Sequence, residues 1–576
     1  MALAAAAALK EATKSLAEGW RIIPRPILET ILNNYAHHHR VHQPVIFHGP
    51  RGVGKTSLLL HRLLPEWNKG AHVTAYVDFA GDPFAARPWA SFSTALEPPS
   101  LGAIRGRLES ELEALVDQGV RRGSIGCRDV FDALNKWHGL HTALKRIIGP
   151  NLLSKRDETA SVAALWSKAM FTFSSRIGSE EINANLATEE KAISAGGTRK
   201  YSMGEVAHMR ETAVSIKLAK EVIKMHQEWR REAVRDLNRK GGFSRSLANS
   251  STDWPSLLLD ILSSAAEIDF FQPKLVINNV DVLRKAILTD DSTVSATMYH
   301  DSFIWRLIAL GVNERCLPVV LVTSDSYYSY RAFIDFGFPN IFISRETFGW
   351  TPQEAKLHMV SDFFKESEWK VIDEVLGSNP RQLYELYVLK QSGYYPEAYQ
   401  GDKSNFEDIV DAYLSYLQVT VVNPAMESAL LIVQKFAFDA YNGKVSEDRL
   451  HFGAPWRHPP RTNDPVSSIM WAKIQLVDFV QSFLITEFGV NYLADQSLEI
   501  LDDPSLLAML EVGLLYTQRD PSFVRPITRG IQRCLVRWLV QQKLQMDFRE
   551  RLAYLWQRII RGRSYRHLMK ESGYKR

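Results

Sequence analysis

Cysteine is scarce: Cys127, Cys316 and Cys534 are the only three in 576 residues. They lie far apart without a CxxC pair, which argues against a disulfide framework and a Cys-rich zinc site and fits a reducing compartment. Surplus charge is also lacking. Lys plus Arg number 69 against 65 Asp plus Glu, a net +4, so global charge gives no argument for a nucleic-acid partner. No window approaches the ~18 consecutive apolar residues of a spanning helix, and the alanine run Ala4 to Ala8 is short and lacks the basic flank of a secretory signal. Neither secretion nor a membrane span is therefore expected. Lys10, Lys14, Arg21 and Arg25, mixed with Glu11 and Glu18, leave an organellar leader open. The expected location is intracellular: cytoplasm, nucleus or an organelle matrix, the mitochondrion included.

What is present is an ordinary globular composition, 45% apolar and 23% charged, and at about 150 residues per domain the length suggests three or four domains. Residues 10–35 read as helical and then turn-like around Pro24 and Pro26. The histidines from His37 to His42 follow; they read as a solvated loop, since consecutive imidazoles cannot converge on one ion. Gln43 to His48 is a strand-length apolar run ending in glycine, followed by helical periodicity from Thr56 to Trp67. His72 to Phe79 is β-branched and aromatic, a second strand. Helical periodicity then dominates in 101–118, 128–148, 160–175 and 204–239, with an exposed connection near 241–252. Lys274 to Val280 and Leu317 to Thr323 are near-continuous apolar runs of the kind found in strands buried on both faces, and Asn340 to Ile343 suggests another. Beyond about residue 350 the pattern is again mostly helical, with a Pro-, Arg- and His-containing loop at 453–466.

The most specific motif is Gly49-Pro50-Arg51-Gly52-Val53-Gly54-Lys55-Thr56, a full G-x-x-x-x-G-K-[ST] phosphate loop between a strand and a helix. The glycines let the backbone wrap a phosphate, and the amide groups and helix N-terminus supply positive potential. Lys55 reaches the β- and γ-phosphates and Thr56 ligates Mg²⁺. A plain glycine-containing turn is the alternative.

Hydrolytic relatives of such loops carry an acidic pair at the end of a later buried strand, for Mg²⁺ and the attacking water. Here the matching segment, Leu275 to Asp281, presents Asn278-Asn279. A neutral amide cannot attract the ion by charge or act as a base. Asp281 is the first substitute carboxylate to consider, a capping or surface aspartate being the alternative.

With these residues in hand, the chain resembles the archaeal-type and STAND branch of P-loop ATPases, relatives of the AAA+ proteins. Phe47 to Leu59, including Ser57, is similar to that branch's phosphate loop, which often reads G-x-R-x-x-GKTSL. Leu317 to Ser324 is similar to its next strand, whose polar end implies that Thr323 and Ser324 read the γ-phosphate; the Arg often found next is Asp325 here. Leu376 to Leu383 resembles the G-x-P segment of a helical lid, which implies Pro380 on the base and Arg381 near phosphate. Leu510 to Leu535 is distantly similar to the closing winged helix. The resemblance covers roughly 40–90, 270–390 and part of 490–540.

Basic residues collect in two places. Residues 217–245 hold nine basic against four acidic side chains, and 549–576 hold nine against Glu550 and Glu571, interleaved with Tyr554, Trp556, Tyr565 and Tyr574. Such a tail can track a phosphate backbone and stack on bases. The plainer reading is a solvated face or a tail docked on an acidic partner, and Leu552, Trp556, Ile559 and Ile560 have the spacing of a packing face.

The expected fold is α/β: a three-layer P-loop NTPase core at 41–345 with a parallel sheet and a helical insertion at about 100–260. A helical segment at 1–40 precedes it, and a helical lid at 346–400 and a helical or winged-helix-like unit at 401–576 follow. ATP and Mg²⁺ are the expected ligands. The expected function is a nucleotide-dependent switch or scaffold with weak or absent hydrolysis that acts on a protein partner or by self-association. The alternatives are an active ATPase that remodels a protein or nucleic acid, and an ATP-regulated nucleic-acid-binding protein.

Overall fold

In a computed structural model, the structure describes residues 23–38, 43–81, 98–149, 152, 160–176, 202–240, 253–266, 269–288, 295–312, 317–336, 341–360, 362–391, 406–445, 450, 458–462, 464–486, 489–493 and 499–560. The chain is mixed α/β. Five parallel strands, β1 (Val45–His48), β2 (His72–Asp78), β3 (Gln272–Asn278), β4 (Val319–Thr323) and β5 (Ile343–Glu346), form one sheet in the order β2-β3-β4-β1-β5. Each of β1, β3 and β4 is buried along nearly its whole length, as the continuous apolar runs predict for strands covered on both faces.

Alternation along β1 sorts the two faces. Val45 and Phe47 pack with Leu32 and Ala36 of α1 (Pro26–His37), with Leu58 of α2 (Lys55–Leu58) and with Trp67. Ile46 faces the other way, into a core shared with the helices between β2 and β3. These are α4 (Leu101–Arg121), α5 (Cys127–Asn135), α6 (Leu140–Ile148), α7 (Val162–Arg176), α8 (Met203–Arg239) and α9 (Trp254–Ala265). The sheet therefore lies between two helical layers.

Local chemistry explains several boundaries. Pro26 opens α1 at its first turn, where its missing N–H costs nothing; the turn expected around that residue is thus a helix start, and His37 is helical. Behind the glycine loop, α2 gives way to a π turn at Leu59–Leu63 before α3 (Leu64–Trp67). Pro65 has no amide to offer the preceding turn, which relaxes into the wider winding. The stretch 128–148 is two helices, because Gly139 at φ 86° breaks it. The strand expected at Asn340 to Ile343 begins at Ile343, where the edge strand β5 pairs with β1.

After α10 (Val282–Lys285), α11 (Ala296–Val312) and α12 (Arg331–Asp335), a second core unites α13 (Pro352–Met359), α14 (Glu366–Val375) and α15 (Pro380–Gln391) with the C-terminal elements. The latter include α16 (Phe406–Leu417), a π turn at Gln418–Val422, α17 (Asn423–Tyr441), α18 (Pro465–Leu484) and α19 (Pro504–Glu511). They also include a three-stranded antiparallel sheet of β6 (Val490–Asn491), β8 (Phe523–Pro526) and β7 (Leu515–Thr517), then α20 (Arg529–Gln545) and α21 (Phe548–Leu555). Among the described residues one helical run, Phe406–Tyr441, is long and apolar enough to cross a membrane, with mean hydropathy 1.3 over its best window. Half of that window is buried, with Ala425, Ala429 and Val433 turned into the second core, so it behaves as a core helix of this fold.

Candidate functional site

The carboxyl ends of β1, β3 and β4 converge on the loop that follows β1. In open parallel sheets this edge is where ligands bind. Gly52 and Gly54 adopt φ of 80° and 86°, conformations that only glycine reaches without strain, and Gly54 caps α2. At Gly49 the constraint is spatial: a Cβ would lie 2.1 Å from the Thr347 carbonyl oxygen.

Lys55 is 6% exposed. Its ammonium donates to the carbonyls of Gly49 and Pro50 at 2.8 and 2.9 Å, and to the Ser324 hydroxyl at 2.8 Å. The amine is thus tied to the rim of its own loop and to the end of β4. Burial lowers its pKa to about 7; Asp281 works against that shift, while Arg51 and Arg25 reinforce it. A buried amine with Arg51 and Arg25 as well as Asp281 about it is a setting that an anionic ligand would relieve. Arg25, which the sequence reading missed, donates to the Val53 carbonyl at 3.2 Å and to the Thr347 hydroxyl.

Thr56 is half-buried at the start of α2, with Val53 buried beside it and Ser57 on the exposed side. The Asn278 amide donates to the Thr56 hydroxyl at 3.4 Å, to the Tyr76 hydroxyl at 3.0 Å and to Asp78 Oδ2 at 2.8 Å. Asn279 donates to Asp78 Oδ1 at 2.8 Å. Asn278 therefore does meet Thr56, and the asparagine pair also holds a carboxylate. That carboxylate is not the expected Asp281, whose side chain accepts from the Thr323 hydroxyl at 2.7 Å. Asp281 and Asp325, both half-buried, instead form a group with the exposed Lys285, which pairs with Asp325 at 3.1 Å. Burial raises the Asp281 pKa, with the Asp325 charge adding to it. Burial alone would raise Asp325 as well, but Lys285 and the Tyr327 amide hold it low. The group borders an open cleft of about 810 Å³ toward the C-terminal helices. Thr323 is consequently engaged with Asp281, and Ser324 with Lys55.

Arg51 turns away from the loop; a Cβ placed on Gly513, between α19 and β7, would lie 3.2 Å from its guanidinium. The lid segment lies on the same loop. The Asn379 amide donates to the Arg51 carbonyl at 3.2 Å, and the Arg381 N–H to the Gly52 carbonyl at 3.3 Å. Gly349 packs against Val53 and Pro380. The Arg381 guanidinium, expected near phosphate, pairs with Glu385 at 2.9 Å, which also accepts from Tyr413 at 2.8 Å. Its main-chain amide reaches the loop, and its charge helps to lower the pKa of Arg51 there.

The last residue of β1 adds a connection that the sequence reading did not foresee. Buried His48 bonds the Tyr516 hydroxyl through Nδ1 and the Ser344 hydroxyl through Nε2, both at 2.7 Å. Burial and the nearby Lys55 and Arg519 lower its pKa to about 3, so the imidazole is neutral. Ser329 joins Tyr516 at 3.0 Å.

Among the described residues no group of three or more His, Cys, Asp or Glu side chains is placed to hold a metal. Mg²⁺ takes few protein ligands and leans on waters and phosphate oxygens, so a single hydroxyl such as that of Thr56, half-buried at the start of α2, would fit it as the direct protein ligand. For the basic tail, 561–576 lies outside the described residues, and Leu552, Trp556 and Ile559 are exposed, so they form no packing face among the described residues. The basic residues of 217–239 lie on α8 as expected, where Lys220 pairs with Glu113 at 2.7 Å. Scans against protein-family models, curated proteins and solved structures found no match for this chain.

Proposed function

We propose that this chain binds ATP with Mg²⁺ on the loop Gly49 to Thr56 and works as a nucleotide-dependent switch with weak or absent hydrolysis. The observation that carries the reading is Lys55: a buried amine held by two loop carbonyls and Ser324, with its pKa lowered to about 7. A triphosphate would take over those hydrogen bonds and supply the missing negative charge. Asn278 beside Thr56, with Asn279 next to it in the chain, argues against fast turnover, since neither amide can deprotonate water.

The switching half rests on the contacts between loop and lid. Arg51 and Gly52 each offer a carbonyl to the lid, and the Arg51 side chain reaches the C-terminal unit. Rearrangement of the loop around phosphate would be felt by both. A ligand that binds one arrangement of loop and lid better than the other shifts the population by that difference. This is the behaviour implied by the resemblance to STAND and AAA+-related ATPases, with a protein partner or a second copy of the chain reading the state.

The test is ATP binding and turnover by purified protein with Mg²⁺, beside Lys55→Ala. The reading predicts saturable binding that Lys55→Ala abolishes and turnover well below the roughly 10 s⁻¹ median of enzymes. Rapid, Lys55-dependent hydrolysis would replace the switch by a working ATPase. Absence of binding by the unaltered chain would overturn both.

A further inference from the structure

β3 lacks an acidic end, but its neighbour does not. β2 and β3 pair in register along seven residues, so that Asp78 stands opposite Asn278 at the edge where the loop sits. Both carboxylate oxygens of Asp78 are engaged by the pair, Oδ2 by Asn278 and Oδ1 by Asn279, each at 2.8 Å. Oδ1 also accepts from the Ala80 amide at 2.9 Å. The bond from Asn279 is made at a cost: this residue has φ of 55° and is the only non-glycine with positive φ among the described residues. Backbone strain of this kind persists where the surroundings enforce it, often at functional sites. Here its visible result is an amide turned onto Asp78.

A second observation ties this carboxylate to the loop. The Asn278 amide that donates to Asp78 lies 3.4 Å from the Thr56 hydroxyl, so one side chain bridges the carboxylate and the expected metal ligand. The Tyr76 hydroxyl, 3.0 Å from the same amide, also hydrogen-bonds Asp78. The arrangement is a negative group steered by two neutral amides toward the start of α2.

We infer that Asp78 is the carboxylate that anchors the divalent cation of this site, holding one of its waters while Thr56 and phosphate oxygens bind the ion directly, with Asn278 and Asn279 as positioning residues. The inference rests on the proposed nucleotide site. It accounts for an asparagine pair in a place where charge is needed: the charge stands on β2, one strand over, and the amides aim it. Asn278 and Asn279 then matter through Asp78 and not as ligands.

The experiment measures the dissociation constant of ATP with millimolar Mg²⁺ and with EDTA, for the full chain and for Asp78→Asn, Lys55→Ala and the exchange Asp78→Asn with Asn278→Asp. The unaltered chain should bind ATP more tightly with Mg²⁺. Asp78→Asn should keep the EDTA value and lose about 10-fold or more of the Mg²⁺ gain, the usual effect of removing an outer-sphere partner of a metal. The exchange returns a carboxylate to the same pair and should recover most of that gain. An Mg²⁺ gain unchanged in Asp78→Asn overturns the inference while Lys55-dependent binding leaves the nucleotide site standing. A loss that the exchange does not recover also overturns it, because the loss would then follow from altered packing and not from charge. If the unaltered chain binds no ATP, the nucleotide site fails and the inference with it.

Discussion

At the scale of single residues, the site is organised by who neutralises whom. Lys55 is buried among Arg51 and Arg25, and Asp78 is held by amides that carry no charge. Placing a second carboxylate in this corner should therefore be costly without a cation. Asn278→Asp sets an acid opposite Asp78 in the β2–β3 register, where like charges destabilise. We expect a loss of about 1–3 kcal/mol of stability in EDTA, much of it recovered by millimolar Mg²⁺. Chemical denaturation in the two buffers measures it, and equal losses in both would contradict a cation site. The glycine loop after β1 could be read from the chain because its residues are contiguous. Asp78 could not, since 200 residues separate it from Asn278 and only the pairing of β2 with β3 brings them together. The available clue was that the strand His72 to Phe79 contains an acidic residue near its end.

At the scale of elements, the loop is set between rigid neighbours. β1 fixes its start, α2 its end, and the Thr347 carbonyl closes over Gly49. A methyl group at that position requires the chain after β5 to move. Gly49→Ala should cost about 1–3 kcal/mol by overpacking and should weaken nucleotide binding, whereas Gly102→Ala, on the first turn of α4 with open space around it, should be neutral or slightly stabilising. Thermal melts of the two variants compare them directly. Continuous apolar runs gave away β1, β3 and β4, because strands covered on both faces need no alternation. β5 was misplaced by a few residues: its Ser344, Arg345 and Glu346 are polar, an edge strand with no apolar signature. The clasp of the lid on the loop was half legible. Asn379 and Pro380 mark the segment, but the turning of Arg381 toward Glu385 depends on the side chain of Tyr413 beyond it.

At the scale of the whole molecule, the C-terminal unit meets the sheet edge beside the loop. Glu346 accepts from the backbone amides of Arg519 at 3.1 Å and Asp520 at 3.3 Å, while His48 and Tyr516 stand on its other side. Burial raises the Glu346 pKa to about 7, against the pull of those amides and of Arg519. A carboxyl whose folded pKa is raised stabilises the fold fully below its unfolded value near 4.5, and the contribution is lost as pH rises through about 7. The junction should therefore weaken between mildly acidic and mildly alkaline pH, and Glu346→Gln should flatten that dependence. Melting temperature against pH for both chains checks this; a steeper dependence in Glu346→Gln would contradict it. None of this contact was legible in sequence, because Glu346 and Arg519 are 173 positions apart and the partner groups are backbone amides. The helical character of the C-terminal half was legible, while the short β6, β7 and β8 strands carry too few residues to show a period.

The central claim is that nucleotide phosphate sits on the loop after β1, and hydrogen–deuterium exchange with and without Mg·ATP tests it at that place. The account predicts that amides of residues 51–56 gain protection in the unaltered chain and not in Lys55→Ala, with a smaller change in the lid segment 377–383. Unchanged exchange in 51–56, whatever happens elsewhere in the chain, would contradict it.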